Sequence, residues 1–464
     1  MKLFSGINIS RPFWLRLFFI TGTLLLSITL GYRGSPRQLP VVLFLPVGIS
    51  LALALLRWPS LGLIIASIGG MIVPFLGPSG LNVTMLLIAF LLGLWLLDMV
   101  VRQHEIRLLS SRAIWSLFAF VVAAVLSFGI GQLPWFTFAS DAPLGAQLGG
   151  LSLVLLSAGT FLLVAHQMHD LIWLSRMTWV FLAFGALYVF IRSVLPEFGL
   201  STRRLLQPVG SLFFTWLVVM AFSQALLNQE LHKGWRFALG ALVAGCMYIL
   251  FILKFADKSG WLPAAISLAA VIGFKSWRTG LMLVPIAGLA AWYLAPDVLA
   301  TDDYSIATRF DAWKIMAEII KTSPIWGLGF ANYYWYTPLF PIRGYAVSFN
   351  SHNNYVDIIA QTGLIGLICF LWFLWQAGKL GWELRDRVPN GFARAYVYGA
   401  LGGLVGTAIA GMLGDWVLPF FYNIGLQGFR TSVLTWLFLG GLVSLEQMVI
   451  VQVQGNVLNG HSST

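Results

Sequence analysis

The sequence predicts an all-α protein that crosses a membrane many times. Hydrophobic residues make up 59% of its 464 residues and charged residues only 10%, whereas about a quarter of the residues in a soluble chain are charged. The mean hydropathy is +0.84. Apolar runs of roughly twenty residues, the length a helix needs to cross a bilayer, recur along the chain. These observations exclude a soluble globular domain.

The apolar runs predict about fourteen transmembrane helices. Their centres lie near residues 22, 48, 66, 90, 122, 158, 187, 217, 245, 267, 287, 366, 405 and 441. The first run is long enough to remain in the membrane as a span, so we expect no cleaved signal peptide. Because no internal repeat or low-complexity linker divides the chain, we predict one membrane domain over residues 1–464.

Lysine and arginine are concentrated in alternate connections between the runs, and this predicts the orientation because cytoplasmic loops are enriched in both residues. With a cytoplasmic N-terminus, the cytoplasmic connections contain Arg57, Arg102, Arg107, Arg112, Arg176, Lys233, Arg236, Lys275, Arg278, Lys379, Arg385, Arg387 and Arg394. The opposite orientation would place nearly all of them outside. We therefore expect a multi-pass protein of the inner (plasma) membrane with both termini in the cytoplasm.

A smaller set of cations falls on the outer side of this topology. They are Arg33, Arg37, Arg203, Arg204, Lys254, Lys258, Arg309, Lys314, Lys321 and Arg343. Contact with lipid headgroups would account for any single one of them. Because most of them cluster in three separate loops on the same side, a shared anionic ligand explains the set better.

The longest polar interruption, residues 296–354, is predicted to be a large extracytoplasmic loop. Within it, apolar residues recur at helical spacing over Thr308–Thr322 with charged residues largely on the opposite side, which predicts an amphipathic helix. The aromatic-rich stretch Phe330–Phe349 follows. It is typical of an interfacial aromatic belt, and a surface on which sugars stack is the alternative.

His352 lies where this loop meets the next apolar run, and two Asn residues follow it. A histidine suits proton transfer near neutral pH, although a lone histidine is more often structural. No metal is expected, because no second His or Cys is close by in sequence and the outward carboxylates are dispersed. Asp415 and Trp416 could line the same outward cavity.

These parts predict a cavity in which cations bind a phosphate-bearing ligand and one base activates a hydroxyl. Cations that bind a diphosphate also stabilise it as a leaving group, because negative charge grows on it in the transition state. Glycosyl transfer from a polyprenyl-diphosphate sugar fits this set of groups, and the lipid tail of such a donor would explain why the protein is embedded in a bilayer.

Four short motifs resemble those of the O-antigen ligase and O-antigen polymerase-like membrane proteins. They are Arg309-x-x-x-Trp313, Pro324-Ile325-Trp326-Gly327-Leu328-Gly329, His352-Asn353-x-Tyr355 and Gly363-Leu364-Ile365-Gly366. Two weaker matches lie upstream. Asp257–Leu262 has Lys258 where the family has arginine, and Arg204–Gly210 lacks the asparagine that usually follows a few positions later, where Phe213 stands.

The resemblance implies a GT-C-like membrane glycosyltransferase that is inverting, metal-independent and free of cofactors. It implies that His352 is the base and that Arg309, Arg204 and Lys258 bind the diphosphate. Arg203, Arg343 and Asn353 are further candidates for substrate binding. The implied partners are an undecaprenyl-diphosphate-linked glycan donor, a glycolipid or glycan acceptor, and membrane lipids, with no nucleic acid.

Two alternatives stay open. The same family contains ligases that act on lipid A core, polysaccharide chain polymerases and protein O-glycosylating enzymes, and these motifs do not separate them. Outside the enzyme class, a lipid-linked glycan transporter or flippase would also have about fourteen spans. A transporter would be expected to show repeated halves, interrupted helices in matching positions or ionisable residues at mid-membrane.

Overall fold

Most of the residues that the computed structural model describes are helical. The described residues are 57–73, 77–194, 210–254, 257–282 and 303–461, with isolated residues at 50, 54–55, 285, 288–289 and 292. The regular elements among them are helices, without a β-strand, which confirms the all-α class. The chain divides into a unit Met1–Gly62 and a unit Leu63–Thr464. The former lies largely outside the described residues, and the latter contains most of the helices.

The helices follow one another through the described ranges. They are α1 (Pro59–Ile72), α2 (Val83–Leu97), α3 (Arg112–Ile130), α4 (Leu144–Gln167), α5 (Leu171–Ser193), α6 (Ser211–Leu227), α7 (Lys233–Tyr248), α8 (Lys258–Lys275), α9 (Asp303–Ile320), α10 (Asn354–Leu384), α11 (Phe392–Leu413) and α12 (Phe429–His461). Single turns of π-helix extend α2 and α7 to Gln103 and Leu253.

Within the described residues, eight helices are long and apolar enough to cross a membrane. They cover Val83–Gln103, Arg112–Ile130, Leu144–Gln167, Leu171–Ser193, Lys233–Leu253, Asn354–Leu384, Phe392–Leu413 and Leu426–Gln452. The predicted spans near residues 66 and 217 are shorter helices, and those near 22 and 48 lie outside the described residues. The polytopic class is confirmed, whereas the count of fourteen is not.

Hydrogen bonds between connections define the two ends of the helix bundle. At one end, Asn332 accepts from Ala142 N at 2.9 Å and donates to Gly131 O at 2.8 Å, which joins the long polar segment to the α3–α4 connection. At the other end, Leu109 N donates to His166 at 3.0 Å. His352 belongs to the first end, and the connections rich in Lys and Arg belong to the second. The direction of this bundle in a membrane stays a prediction.

The polar segment folds into a cap with its own hydrophobic core instead of a loose loop. The core consists of Met316, Ile319, Leu328, Tyr333, Tyr336, Ala360 and Phe420. The amphipathic helix predicted at Thr308–Thr322 is present as α9. Its buried residues Ala312, Met316 and Ile319 recur at helical spacing, so one face of α9 packs into the cap.

Helix α10 is broken at Gly363, which has φ 69° and ψ −176°. A break leaves backbone N–H and C=O groups without partners inside the helix. Here they pair with the segment Pro324–Gly329: Leu328 N donates to Ala360 O at 2.9 Å, and Leu364 N donates to Pro324 O at 2.8 Å. The two glycine-rich motifs of the sequence therefore form one structural unit.

Gly363→Ala tests this unit. Residues other than glycine are strained in this backbone conformation by on the order of 1–3 kcal/mol, and a methyl group at Gly363 would lie 2.1 Å from Ile325 O. We expect the melting temperature of the purified protein in detergent to fall by several degrees. Gly93→Ala is the matched control, since a methyl group there meets no atom within 4 Å. Equal melting of both variants would contradict the assignment.

Candidate active site

His352 lies in a tight turn whose backbone is held by its neighbours. It has a positive φ of 49°, which is uncommon outside glycine. Ser351 Oγ accepts from Asn353 N at 3.1 Å, across the histidine. Trp313 Nε1 donates to Ser351 O at 2.8 Å and so fastens α9 to the turn. The imidazole is thus presented from a constrained backbone.

Each residue that follows His352 in the motif makes a separate connection. Asn353 caps α10, its Oδ1 accepting from Tyr355 N at 2.9 Å. Asn354 Oδ1 accepts from Val417 N at 2.8 Å, which holds the loop after α11. Tyr355 donates its hydroxyl to Ala408 O of α11 at 2.8 Å. The motif therefore ties the turn to two neighbouring elements.

Asp357 holds the His352 turn through hydrogen bonds to its side chain, a role that the sequence did not reveal. Its side chain is 2% exposed. Its Oδ1 accepts from Ser351 Oγ at 2.7 Å and from Tyr333 OH at 2.5 Å. Tyr333 is buried and stacks on Phe420 with ring centroids 4.7 Å apart. In sequence Asp357 resembles any acidic residue in a first helical turn, so nothing short of the tertiary contacts identifies it.

The surroundings of His352 favour the neutral imidazole. Burial lowers its pKa below the ordinary value, and the Arg309 guanidinium lowers it further, while the Asp415 carboxylate raises it. Burial also raises the pKa of Asp415, whose oxygens accept from Phe420 N at 2.8 Å and Asn423 Nδ2 at 2.6 Å. A neutral imidazole is the form that can accept a proton.

Arg309 is the predicted cation that the structure brings within electrostatic influence of His352. It is half-buried on α9, and its Nη1 lies 3.5 Å from Leu413 O at the end of α11. Arg309 and Trp313 are one helical turn apart and share a face. Since Trp313 Nε1 donates to Ser351 O, next to His352, the Arg-x-x-x-Trp spacing brings Arg309 close enough to lower the pKa of the imidazole.

Lys258 is the first residue of α8 and is half-buried. Helices α8 and α11 pack antiparallel, because Gly402 lies against Val271 and Gly406 against Pro263. The first turn of α8 therefore approaches the C-terminal end of α11, the end that Arg309 contacts. The role of Lys258 in donor binding stays a prediction.

Of the three remaining predicted cations, the structure describes Arg343 only. Arg343 is on an exposed turn, where its Nε lies 2.9 Å from Asp311 Oδ2. Arg203 and Arg204 lie outside the described residues. Gly210, the first described residue after them, packs against Trp416, the neighbour of Asp415. Roles in substrate binding for all three cations stay predictions.

The aromatic stretch after Phe330 separates into two groups. Tyr333 and Tyr336 are buried in the core of the cap. Tyr334 is partly exposed and stacks on Tyr422 with centroids 4.6 Å apart, and Trp335 Nε1 donates to Tyr422 OH at 2.9 Å. The first group is structural, and the second forms a polar-edged aromatic surface on the cap.

The described residues contain no group of three His, Cys, Asp or Glu side chains that could hold a metal ion. Cys246 and Cys369 are free thiols within the bundle. The described site contains an imidazole, two buried carboxylates and the cation Arg309.

Fold and site together define a polytopic helical membrane protein whose His–Arg centre is held under a cap at one end of the bundle. The family model described as O-antigen ligase matches residues 231–371. This confirms the resemblance predicted from the motifs, and the matched segment contains Lys258, Arg309, Arg343, His352 and Asn353. Comparison with curated proteins gives no match.

Substitutions at Arg309 and Asp415 should move the pKa of His352 in opposite directions. Arg309→Gln removes a positive neighbour, so we expect the pKa to rise. Asp415→Asn removes a negative neighbour, so we expect it to fall. Titration of isotope-labelled histidine by NMR measures both, with the signal assigned through a His352 variant. Lys321→Gln, which removes a cation ion-paired with Glu318, is the control, and shifts of equal sign in both variants would contradict this assignment.

Proposed function

We propose that this protein is a glycosyltransferase of the O-antigen ligase type. It moves a glycan from an undecaprenyl-diphosphate-linked donor to an acceptor hydroxyl at the outer face of the inner membrane. The observation that carries the proposal is the constrained turn that presents His352, to which Trp313 of α9 donates a hydrogen bond, within the segment that the O-antigen ligase family model matches. Arg309, one helical turn before Trp313, contributes to lowering the pKa of the imidazole. Lipid-linked glycans are the substrates expected for that family.

The reaction uses the imidazole as a general base. His352 accepts the proton of the acceptor hydroxyl while the hydroxyl oxygen attacks the anomeric carbon of the donor sugar. The bond from that carbon to the diphosphate oxygen breaks on the opposite face, so the configuration inverts. His352 then releases its proton to solvent or to the departing diphosphate. No cofactor or metal enters this scheme.

Arg309 supports the departure of the diphosphate. Its guanidinium is held by α9 before substrate binds, and a cation placed in advance near a leaving group stabilises the charge that grows there. In this proposal Lys258, Arg203 and Arg204 add positive charge from other loops, with Arg343 and Asn353 as further contacts. The lysine offers a point charge where arginine would offer a bidentate fork.

The distribution of cations supports an extracytoplasmic site. The end of the bundle opposite His352 includes the Lys- and Arg-rich connections, such as Arg385–Arg394, and cytoplasmic loops are enriched in these residues. On this ground we infer that His352 lies on the periplasmic side and that both termini lie in the cytoplasm. An undecaprenyl-diphosphate donor in the outer leaflet would then reach the cap from the bilayer.

His352→Asn tests the base. Asparagine tolerates the left-handed backbone of this turn but cannot act as the base. We expect transfer from a lipid-linked oligosaccharide, assayed with purified protein, to fall by about 10²–10⁴-fold, with expression and melting temperature retained. His169→Asn, at the opposite end of the bundle, serves as the control. Transfer within a few-fold of the wild type would remove His352 from the mechanism.

Arg309→Ala tests the leaving-group contact. We expect kcat/KM for the donor to fall by on the order of 10–10³-fold, while KM for the acceptor changes little. Arg309→Lys should restore part of the loss because it keeps the charge. Lys321→Gln changes an exposed cation on the same cap and should leave both parameters unchanged. Equal effects of Arg309→Ala on donor and acceptor would argue against a diphosphate contact.

A further inference from the structure

Asp357 is a buried acidic residue that takes no part in the proposed reaction. It is the fourth residue of α10 and is 2% exposed. Acidic residues in a first helical turn often cap the free N–H groups or interact with the helix dipole. Here Asn353 is the cap, since its Oδ1 accepts from Tyr355 N at 2.9 Å and from Val356 N at 3.4 Å. Asp357 is therefore not needed to cap α10.

The carboxyl group of Asp357 bonds to two residues that precede α10. Its Oδ1 accepts from Ser351 Oγ at 2.7 Å and from Tyr333 OH at 2.5 Å. Ser351 is buried and directly precedes His352. Tyr333 belongs to the core of the cap. Asp357 thus joins the cap to the residue beside the proposed base.

The hydroxyl of Ser351 has two acceptors within reach. One is Asp357 Oδ1 at 2.7 Å and the other is Asn353 O at 2.9 Å. A serine hydroxyl has one proton to donate, so it bonds to one of them at a time. The same oxygen accepts from Asn353 N at 3.1 Å, across His352. Without Asp357 both bonds of the hydroxyl would stay within the turn, and the turn would lose this attachment to α10.

The backbone of His352 depends on such an attachment. Its φ of 49° is uncommon outside glycine, and a conformation of this kind persists only where the surrounding structure holds it. A general base has to lie within hydrogen-bond reach of the proton that it accepts. A displacement of about 1 Å can reduce the rate by about 10²-fold. The geometry of this turn therefore bears directly on the proposed reaction.

A second route links Asp357 to the electrostatics of His352. The ring of Tyr333 stacks on Phe420 with centroids 4.7 Å apart. Phe420 N donates to Asp415 Oδ2 at 2.8 Å, and the Asp415 carboxylate raises the pKa of His352. Removal of Asp357 takes away the hydrogen bond that orients Tyr333, so the effect extends to both sides of the imidazole.

We propose that Asp357 is a positioning residue for His352. By accepting hydrogen bonds from Ser351 and Tyr333, it holds the turn in the left-handed conformation that presents the imidazole. In this role it contacts neither the donor nor the acceptor. Its effect on transfer rests on the proposed function, whereas its effect on His352 can be measured without a substrate.

Asp357→Asn and Asp357→Ala separate positioning from other roles. Asparagine keeps an oxygen for Ser351 and Tyr333, and its amide replaces Oδ2, which forms no hydrogen bond with the described residues. We expect kcat of Asp357→Asn to stay within a few-fold of the wild type. Asp357→Ala should lower kcat by about 10–10²-fold while KM for donor and acceptor changes little.

NMR of the full-length protein in detergent, labelled with ¹³C-histidine, is the readout without substrate. The ring signals of His352, assigned through His352→Asn, should shift in Asp357→Ala and stay near their wild-type positions in Asp357→Asn. Asp141→Ala is the matched control, because Asp141 accepts from Tyr336 OH in the same cap. It should leave kcat and the His352 signals unchanged, even where the melting temperature falls.

Ser351→Ala replaces Asp357→Ala if that variant does not fold, judged by melting and gel filtration. It removes the same link to the turn and leaves Tyr333 paired, and we expect the same loss of kcat. Unchanged His352 signals in the folded variant would overturn the proposal. An equal loss of kcat in Asp357→Asn and Asp357→Ala would do so as well, since it would indicate a chemical role of the carboxyl.

An equal effect of Asp141→Ala would also overturn the proposal, because it would indicate general damage to the cap. Failure of the proposed function has a different signature. Wild-type protein that transfers no glycan would contradict the transferase assignment, and the His352 signals of the Asp357 variants would still decide this inference.

Discussion

The break of α10 at Gly363 is the constraint on which the rest of the site depends. It frees backbone groups near one end of the bundle, where an unpaired group would cost free energy. The segment Pro324–Gly329 supplies the partners, with N–H to O distances of 2.9 Å at Leu328 and 2.8 Å at Leu364. The cap is thereby fastened to the first turns of α10, and His352 precedes those turns directly.

From this attachment the electrostatics of the site follow. The cap buries His352 in part, and the hydrogen bond from Trp313 to Ser351 O holds α9 so that Arg309 influences the imidazole. Both effects lower the pKa of the imidazole, and Asp415 opposes them. In the proposed reaction, an imidazole with a lowered pKa near a cation suits the transfer of a group from an anionic leaving group. In that proposal the packing that stabilises the cap also prepares the chemistry.

The buried carboxylates at the His352 end shape the site. Asp357 and Asp415 are engaged by Tyr333, Ser351 and Asn423. Among the described residues, Asp357 Oδ2 has no hydrogen-bond partner. Glu446 Oε2 at the opposite end is likewise buried without one, so an unmet carboxylate oxygen does not distinguish the two ends.

The motifs allowed much of the site to be predicted because they are local. The polytopic class and the amphipathic helix follow from periodicity and from residue chemistry within short segments. The roles of His352 and Arg309 follow from the same local motifs and stay predictions. The fourteen spans were not confirmed, since a run of apolar residues fixes neither helix length nor the bounds of a span. Asp357 was missed for a different reason. Its partner Tyr333 is distant in sequence, and a first-turn aspartate has an ordinary explanation in the helix dipole.

By itself, the sequence determined that this chain enters a membrane as helices, which of its connections are basic, and that one polar segment concentrates cations, aromatic residues and an imidazole. These properties depend on composition and on the spacing of residues along the sequence. Only the tertiary structure decided that Gly327 and Gly363 meet, and that Arg309 and Asp415 both influence the pKa of His352. Such pairs join residues far apart in sequence, and their distance and burial exist only once the helices have packed.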